Sequence, residues 1–152
     1  MPWTGTTMDP DDVSGTALNV EVYLRRLGVG PETVGTPDLE LLGRLQRAHL
    51  TTVPFETLAI TGDPYGERTG EGVLLSVSHL YEKIVESERG GYCFELNGLF
   101  HALLAALGYD VSRAAARIIS DGAIRIPANH HTNIVELDRR YVVDEGMGPP
   151  TL

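Results

Sequence analysis

Apolar residues along this chain recur first with the period of a helix and later with that of a strand. Val20, Tyr23, Leu24 and Leu27 fall at i, i+3, i+4 and i+7, which predicts a helix with one buried face and Gly28 as its stop. Leu41, Leu42, Leu45 and Ala48 give a second helix its buried side. That helix is expected to open at Thr36–Pro37, a capping residue followed by proline, and to end near Leu50. Asp38 and Glu40 then lie in its first turn, where the helix dipole favours negative charge. The stretch Thr51-Thr52-Val53-Pro54-Phe55 reads as extended, because it is β-branched and proline restricts the residue before it. Residues 61–72 hold four glycines and one proline and read as a surface loop, without the lysine ending of a phosphate cradle.

Val77, Leu80, Tyr81, Ile84 and Val85 predict a third helix with Ser76 as its cap. Leu96, Leu99, Phe100, Leu103, Leu104 and Leu107 predict a fourth, closed by Gly108. Beyond it the pattern changes. Residues 132–137 and 141–144 read as two strands about a short turn at Asp138-Arg139-Arg140. Helices first and strands afterwards define an α+β chain: an N-terminal helical bundle followed by the start of an antiparallel β-domain. The expected divisions are a flexible leader over 1–15, a helical domain over 16–108 and a partial β-domain over 109–152.

Composition narrows the function. The 152 residues are 42% hydrophobic, which excludes disorder of the whole chain, and no apolar run is long enough to cross a bilayer. The N-terminal stretch, with Asp9, Asp11 and Asp12, lacks the basic and apolar regions of a signal peptide. A cytoplasmic protein is therefore the default expectation. Twelve Lys and Arg against 21 Asp and Glu give a formal charge of −9, which argues against nucleic acid or an anionic membrane as partner. An anionic donor with a local positive site stays compatible. One cysteine, Cys93, permits neither an intrachain disulfide nor a zinc site built from thiolates, and no metal is expected.

Cys93 is either inert core or a nucleophile, and its neighbours bear on the choice. Arg89-Gly90-Gly91-Tyr92 precedes it directly, and the fourth helix starts at or near it. Unpaired N–H groups and the positive end of the helix dipole favour a thiolate there, and the same donors suit a developing oxyanion. A nucleophilic thiol needs a base, and the base needs an orienting group. His49, His79 and His101 sit in helical segments and read as helix-surface or interhelical residues. His130 and His131 open the first late strand and Asp144 ends the second, so antiparallel pairing can bring a histidine and Asp144 to the thiol in a papain-like order. Alternation along a strand puts the two histidines on opposite faces, and spacing alone leaves the choice between them open.

The run Arg89-Gly90-Gly91-Tyr92-Cys93-Phe94-Glu95-Leu96-Asn97, followed by Gly98-Leu99-Phe100, resembles the active-site signature of the arylamine N-acetyltransferases. Tyr23-Leu24-Arg25-Arg26-Leu27-Gly28 matches in order as well. So do His49 with Val53-Pro54-Phe55-Glu56, Lys83-Ile84-Val85, and Tyr141-Val142-Val143-Asp144-Glu145-Gly146-Met147-Gly148. The resemblance implies that Cys93 accepts the acetyl group and that Asp144 is the triad carboxylate. Counting back five positions from Val135 selects His130 as its histidine, with His131 as the fallback. It further implies that Arg89 and Glu56 pair to brace the active-site loop and that Phe55 lies near the substrate. The implied donor is acetyl-CoA, with no tightly bound cofactor, and the acceptor an aromatic amine or hydrazine, in a ping-pong reaction.

Thr57 stands where the family reads Asn after Pro-Phe-Glu, and Met147 where it reads Phe in Asp-x-Gly-Phe-Gly. The chain is also about half the family length, so most of the family's β-barrel and its C-terminal lid are expected to be missing, and the residues that bind the donor are left unassigned. Two other readings stay compatible: an amide synthase releasing a polyketide acyl chain, and a catalytically dead or partial chain that pairs with itself or with a companion. An open strand edge predicts a poor enzyme that is not a stable monomer.

Overall fold

A computed structural model describes residues 18–62, 73–120, 122–124 and 129–148. The expected leader over 1–15 and nearly all of the loop over 61–72 lie outside the described residues. Helix α1, Val20–Arg26, starts where the Asn19 side chain accepts the Val22 N–H, and Gly28 follows it at φ +73°. Helix α2 spans Leu39–Thr52, which corrects the sequence reading at both ends. Its cap is Asp38, whose carboxylate accepts the Leu41 N–H at 2.8 Å, not Thr36. Thr51 and Thr52 stay helical despite their branching, and Thr51 Oγ1 donates back to the Arg47 carbonyl at 2.8 Å.

A four-residue helix α3, Leu58–Thr61, follows the turn at Glu56. Helix α4, Val77–Tyr81, is capped by Ser76 and runs on as a π turn over Glu82–Glu86. Lys83 is buried in this turn beside Ile84 and Val85. Helix α5, Cys93–Ala106, crosses the middle of the molecule, and Gly108 leaves it at φ +92°.

The β-part begins earlier than its apolar pattern suggested. Strand β1, Asp110–Ala116, was not expected: it is alanine-rich and half-exposed, so no alternation marks it. Two-residue strands β2, Ile119–Ser120, and β3, Ala123–Ile124, pair with each other. Strand β4 covers His130–Glu136 and β5 covers Arg140–Val143. The main sheet is antiparallel in the order β1-β4-β5, with Ala116 opposite His130 and Asn133 opposite Val143.

One continuous apolar core joins the helices to this sheet. Tyr23, Leu42, Leu80, Phe100 and Leu103 from the helices share it with Val135 and Val143 from β4 and β5, all fully buried. Tyr109 Oη donates to the Asp38 carbonyl at 2.8 Å and so ties the end of α5 to the start of α2. Helix α5 therefore lies against β4 with its first turn beside the strand's first residues. No helix among the described residues is long and apolar enough to cross a membrane.

Candidate active site

Three segments meet at the first turn of α5. Residues 54–56 run beside 89–91 as a short parallel bridge: Gly91 N–H donates to the Pro54 carbonyl at 3.2 Å and Glu56 N–H to the Gly91 carbonyl at 2.9 Å. The approach needs glycine, because a Cβ on Gly90 would stand 2.0 Å from the Pro54 carbonyl oxygen. The bridge sets the entry to α5 and leaves Cys93 half-buried at its N-terminus.

A charged cluster fastens this entry. Lys83 Nζ lies 2.7 Å from Glu95 Oε1 and 3.0 Å from Glu56 Oε1, while Glu95 Oε2 accepts the Tyr92 N–H at 3.1 Å. Arg89 Nη2 is farther from Glu56 Oε1, at 3.7 Å. Glu56 thus touches both cations, and its nearer partner is Lys83 rather than the expected Arg89. Lys83 and Glu95 were quoted in motifs without a role; their opposite charges on two neighbouring helices were the signal.

His130 and Asp144 come together across the sheet, with Nε2 2.5 Å from Oδ2. Asp144 Oδ1 also accepts the Gly146 N–H at 2.8 Å and Asn97 Nδ2 at 3.2 Å. Burial pushes this carboxyl up, but the hydrogen bonds from His130, Gly146 and Asn97 outweigh it and hold it below the ordinary value. The other ring nitrogen, Nδ1, is buried without a hydrogen-bond partner among the described residues. The point a Cβ would occupy on Gly146 is 2.7 Å from Cys93 Cβ and 3.4 Å from His130 Cε1. Any larger residue at 146 would therefore press on Cys93 and touch the imidazole.

The environment of the thiol differs from the sequence expectation. Burial pushes Cys93 up, and Asp144 adds to this, whereas the backbone N–H groups of His131, Phe94 and Cys93 itself pull it down. The net direction is upward. Helix placement alone does not make a free thiolate here, and ionisation requires a nearby base to take the proton. His131 is on the opposite face, its ring 5.9 Å from that of Phe94. Burial pushes it down to about 4, aided by Arg113, His101 and His130, so it is neutral at neutral pH and a weak proton acceptor.

Asn97, fully buried one turn after Cys93, was missed as a site residue. Its Nδ2 donates to the His131 carbonyl at 2.6 Å as well as to Asp144, and its Oδ1 accepts the Glu145 N–H at 2.8 Å. One side chain thereby ties α5 to β4 and to the segment after β5. Its position four residues after the cysteine, on the same helix face, was a readable signal. His49, read as a helix-surface or interhelical residue, is fully buried. Leu42, Leu45, Gln46 and His49 form an i, i+3, i+4, i+7 stripe, all buried, which marks it.

Phe55 is 55% exposed and lines an open cleft of about 490 Å³ with Leu50, Thr51, Val53, Glu145, Gly146 and Gly148. Gly146 belongs to both the cleft and the surroundings of Cys93. Among the described residues no cluster of three His, Cys, Asp or Glu is arranged to hold a metal ion.

Helix α5 opens with Cys93, and the antiparallel sheet that follows it supplies the His130–Asp144 pair, so the three side chain types of a Cys-His-Asp arrangement come from one helix start and two strand ends. The sequence model of a family described as N-acetyltransferase matches residues 38–152. This chain belongs to the arylamine N-acetyltransferase family. It is 36% identical over 145 residues to the arylamine N-acetyltransferase of Mycolicibacterium smegmatis, covering 90% of this chain and 49% of that protein. To the proansamycin X synthase of Amycolatopsis mediterranei it is 37% identical over 137 residues, covering 88% of this chain and 50% of that one. The solved structure of Mycobacterium marinum arylamine N-acetyltransferase in complex with CoA superposes with a TM-score of 0.69 at 33% identity, over 84% of this chain and 46% of that one. The chain spans about half the length of the curated relatives it matches.

Proposed function

We propose that this chain carries the reacting half of an acetyltransferase that moves an acetyl group from acetyl-CoA, through a thioester on Cys93, to the amine of an arylamine or arylhydrazine. The observation that carries the reading is the convergence on Gly146 of Cys93 and of a His130 ring already bonded to Asp144. His130 takes the Cys93 proton through Nδ1, the nitrogen without a partner, while Asp144 holds the other side of the ring. The thiolate attacks the acetyl carbonyl, and N–H groups near the sulfur face the oxyanion that forms. CoA leaves as the thiol, taking the proton from His130. The acceptor amine then attacks the Cys93 thioester, returns a proton to His130 and departs as the amide.

Burial raises Cys93, so the step that matters is transfer to His130 and not spontaneous ionisation. Phe55 and the cleft beside Gly146 suit a flat aromatic acceptor, and Glu56 with Arg89 and Lys83 braces the loop that presents the thiol. Acetyl-CoA acts as a substrate, and the steps call on no tightly bound cofactor; the CoA-bound relative supports the donor. The single cysteine fits a cytoplasmic setting. The domain division at about residue 108 belongs to this reading too, the helical part giving the nucleophile and the β-part the His–Asp pair.

A second reading, an amide synthase releasing a polyketide acyl chain, draws on the likeness to the proansamycin X synthase and uses the same three residues on another acyl donor. A partner, either a companion chain or a second copy, has a natural seat along the edge strand β5, where Val142 is 53% exposed. Release of CoA from acetyl-CoA, measured with and without an aromatic amine, tests the main reading. Amine-stimulated release with parallel double-reciprocal lines supports it. Release only from longer acyl thioesters favours the synthase, and no release from any thioester would sink both.

A further inference from the structure

Behind the triad, on the other side of residues 144–146, lies a second set of titratable groups that the reaction above does not use. Asp144 and Glu145 are neighbours in the chain and face opposite ways. The Asp144 carboxylate meets His130, whereas Glu145 enters the helical core and is shut off from water. There its Oε2 stands 3.3 Å from His49 Nδ1, and His49 Nε2 is 3.0 Å from the Tyr23 hydroxyl. All three side chains are buried, and the His49 ring packs on Phe100 at 5.0 Å between centroids. A row of polar groups thus runs from α1 through α2 to the segment that bears the triad carboxylate.

Such a row is costly to bury, since a carboxyl without water needs a partner of high quality. An apolar side chain would fill the space without that cost but would lack a directional tie. Glu145 gives residues 144–146 a close polar contact to α2 at 3.3 Å. The other side-chain fastenings given for this segment, from Asn97 to the Glu145 N–H and to Asp144 and from His130 to Asp144, are all on the triad side, and Asp144 Oδ1 on the Gly146 N–H closes the segment on itself. The Glu145 side chain adds the polar contact that reaches α2. The charged and titratable groups that bear on Glu145 are His49 from α2, Tyr23 from α1, with Arg26 acting on Tyr23, and Asp144 in the chain itself. Burial pushes Glu145 up, and Asp144 adds to it while His49 opposes it.

We propose that Glu145 is a positioning residue for the triad: anchored through His49 to Tyr23, it fixes residues 144–146 so that Asp144 meets His130 and Gly146 closes on Cys93. This rests on Cys93, His130 and Asp144 being the reacting groups. Shifts of about 1 Å at such a segment are enough to slow proton transfer, because the imidazole is aimed by the carboxylate.

Iodoacetamide labelling of Cys93 in the full chain at pH 7 tests the proposal. Glu145→Ala is expected to slow labelling about tenfold. Glu145→Gln is expected to restore most of the rate, since it keeps a polar group of the same size and reach 3.3 Å from His49 Nδ1. A purely structural role would lower the melting temperature in both variants without this rescue. Asp144→Asn serves as the reference and slows labelling at least as much. A wild-type rate in Glu145→Ala beside a slow Asp144→Asn overturns the proposal and leaves the triad standing; wild-type rates in both remove the triad and the proposal together. Should Glu145→Ala not fold, Tyr23→Phe supplies the test by removing one hydroxyl: slower labelling supports the anchor, and an unchanged rate overturns it.

Discussion

The two ends of α5 are built on different physics. Its C-terminal half, from Phe100 to Leu104, is held by aliphatic and aromatic packing, and Phe100, Leu103 and Leu104 have no exposed surface. Its N-terminal half carries Glu95 and Asn97, equally buried, and is held by ion pairs and hydrogen bonds to three other segments. The first half needs only apolar residues at the right period. The second needs particular atoms at particular distances, since each buried polar group must find its partner. The chemistry sits where the requirement is stricter, and the packed half supplies the rigid base from which the other is aimed.

Removing a charge at the polar end gives the largest effect. Lys83→Met takes the buried Glu95 carboxylate's cation away and leaves Glu56 with Arg89 alone, and is expected to cost about 4 kcal/mol of stability and to slow Cys93 labelling, read by denaturant titration and iodoacetamide kinetics. At the packed end Leu103→Ala opens a cavity and is expected to cost about 3 kcal/mol while the folded fraction labels at the wild-type rate. If Leu103→Ala slowed labelling as much as Lys83→Met, the separation of the two ends would fail.

Within the polar end the adjacent histidines should part company. His130→Gln is expected to abolish fast labelling of Cys93, and His131→Gln to preserve it, because His131 faces Phe94 and is held neutral. The reverse result would shift the strand register by one residue. A smaller effect concerns acid. Asp144 is held below the ordinary carboxylate value, so its contribution to stability is complete above that range and lost as pH falls through the depressed value. Glu145 is pushed the other way, and its contribution declines as pH rises through the ordinary range towards its raised value. Melting temperature against pH should therefore fall less steeply on acidification in Asp144→Asn than in the wild type; equal slopes would contradict this. The smallest change expected is at the surface, where Arg25→Ala breaks an exposed pair with Glu21 and should alter stability by under about 0.5 kcal/mol.

The same contrast explains what could be read in the sequence. Periodicity marked the packed stripes of α1, α4 and α5, and the stops at Gly28 and Gly108 followed from backbone freedom at positive φ. It misplaced the start of α2, because Asp38 caps better than Thr36 in this context, and it lost β1, whose pairing with β4 depends on backbone register and not on an apolar face. The cysteine and its glycines were legible as a motif, and the structure gives the reason in the close pass of Gly90 by Pro54. Asn97, Lys83, Glu145 and His49 were harder, because a polar residue in a buried stripe declares its partner only once the chain has folded. The π turn over Glu82–Glu86 left no pattern in the sequence.

Intact-mass spectrometry after exposure to acetyl-CoA bears most directly on the assignment of Cys93 as the acyl-accepting nucleophile. The expected result is one added acetyl group that maps to Cys93, fails to form in Cys93→Ala, and forms far more slowly in His130→Gln. An unmodified wild-type chain, or an acetyl group that persists in Cys93→Ala, would contradict it.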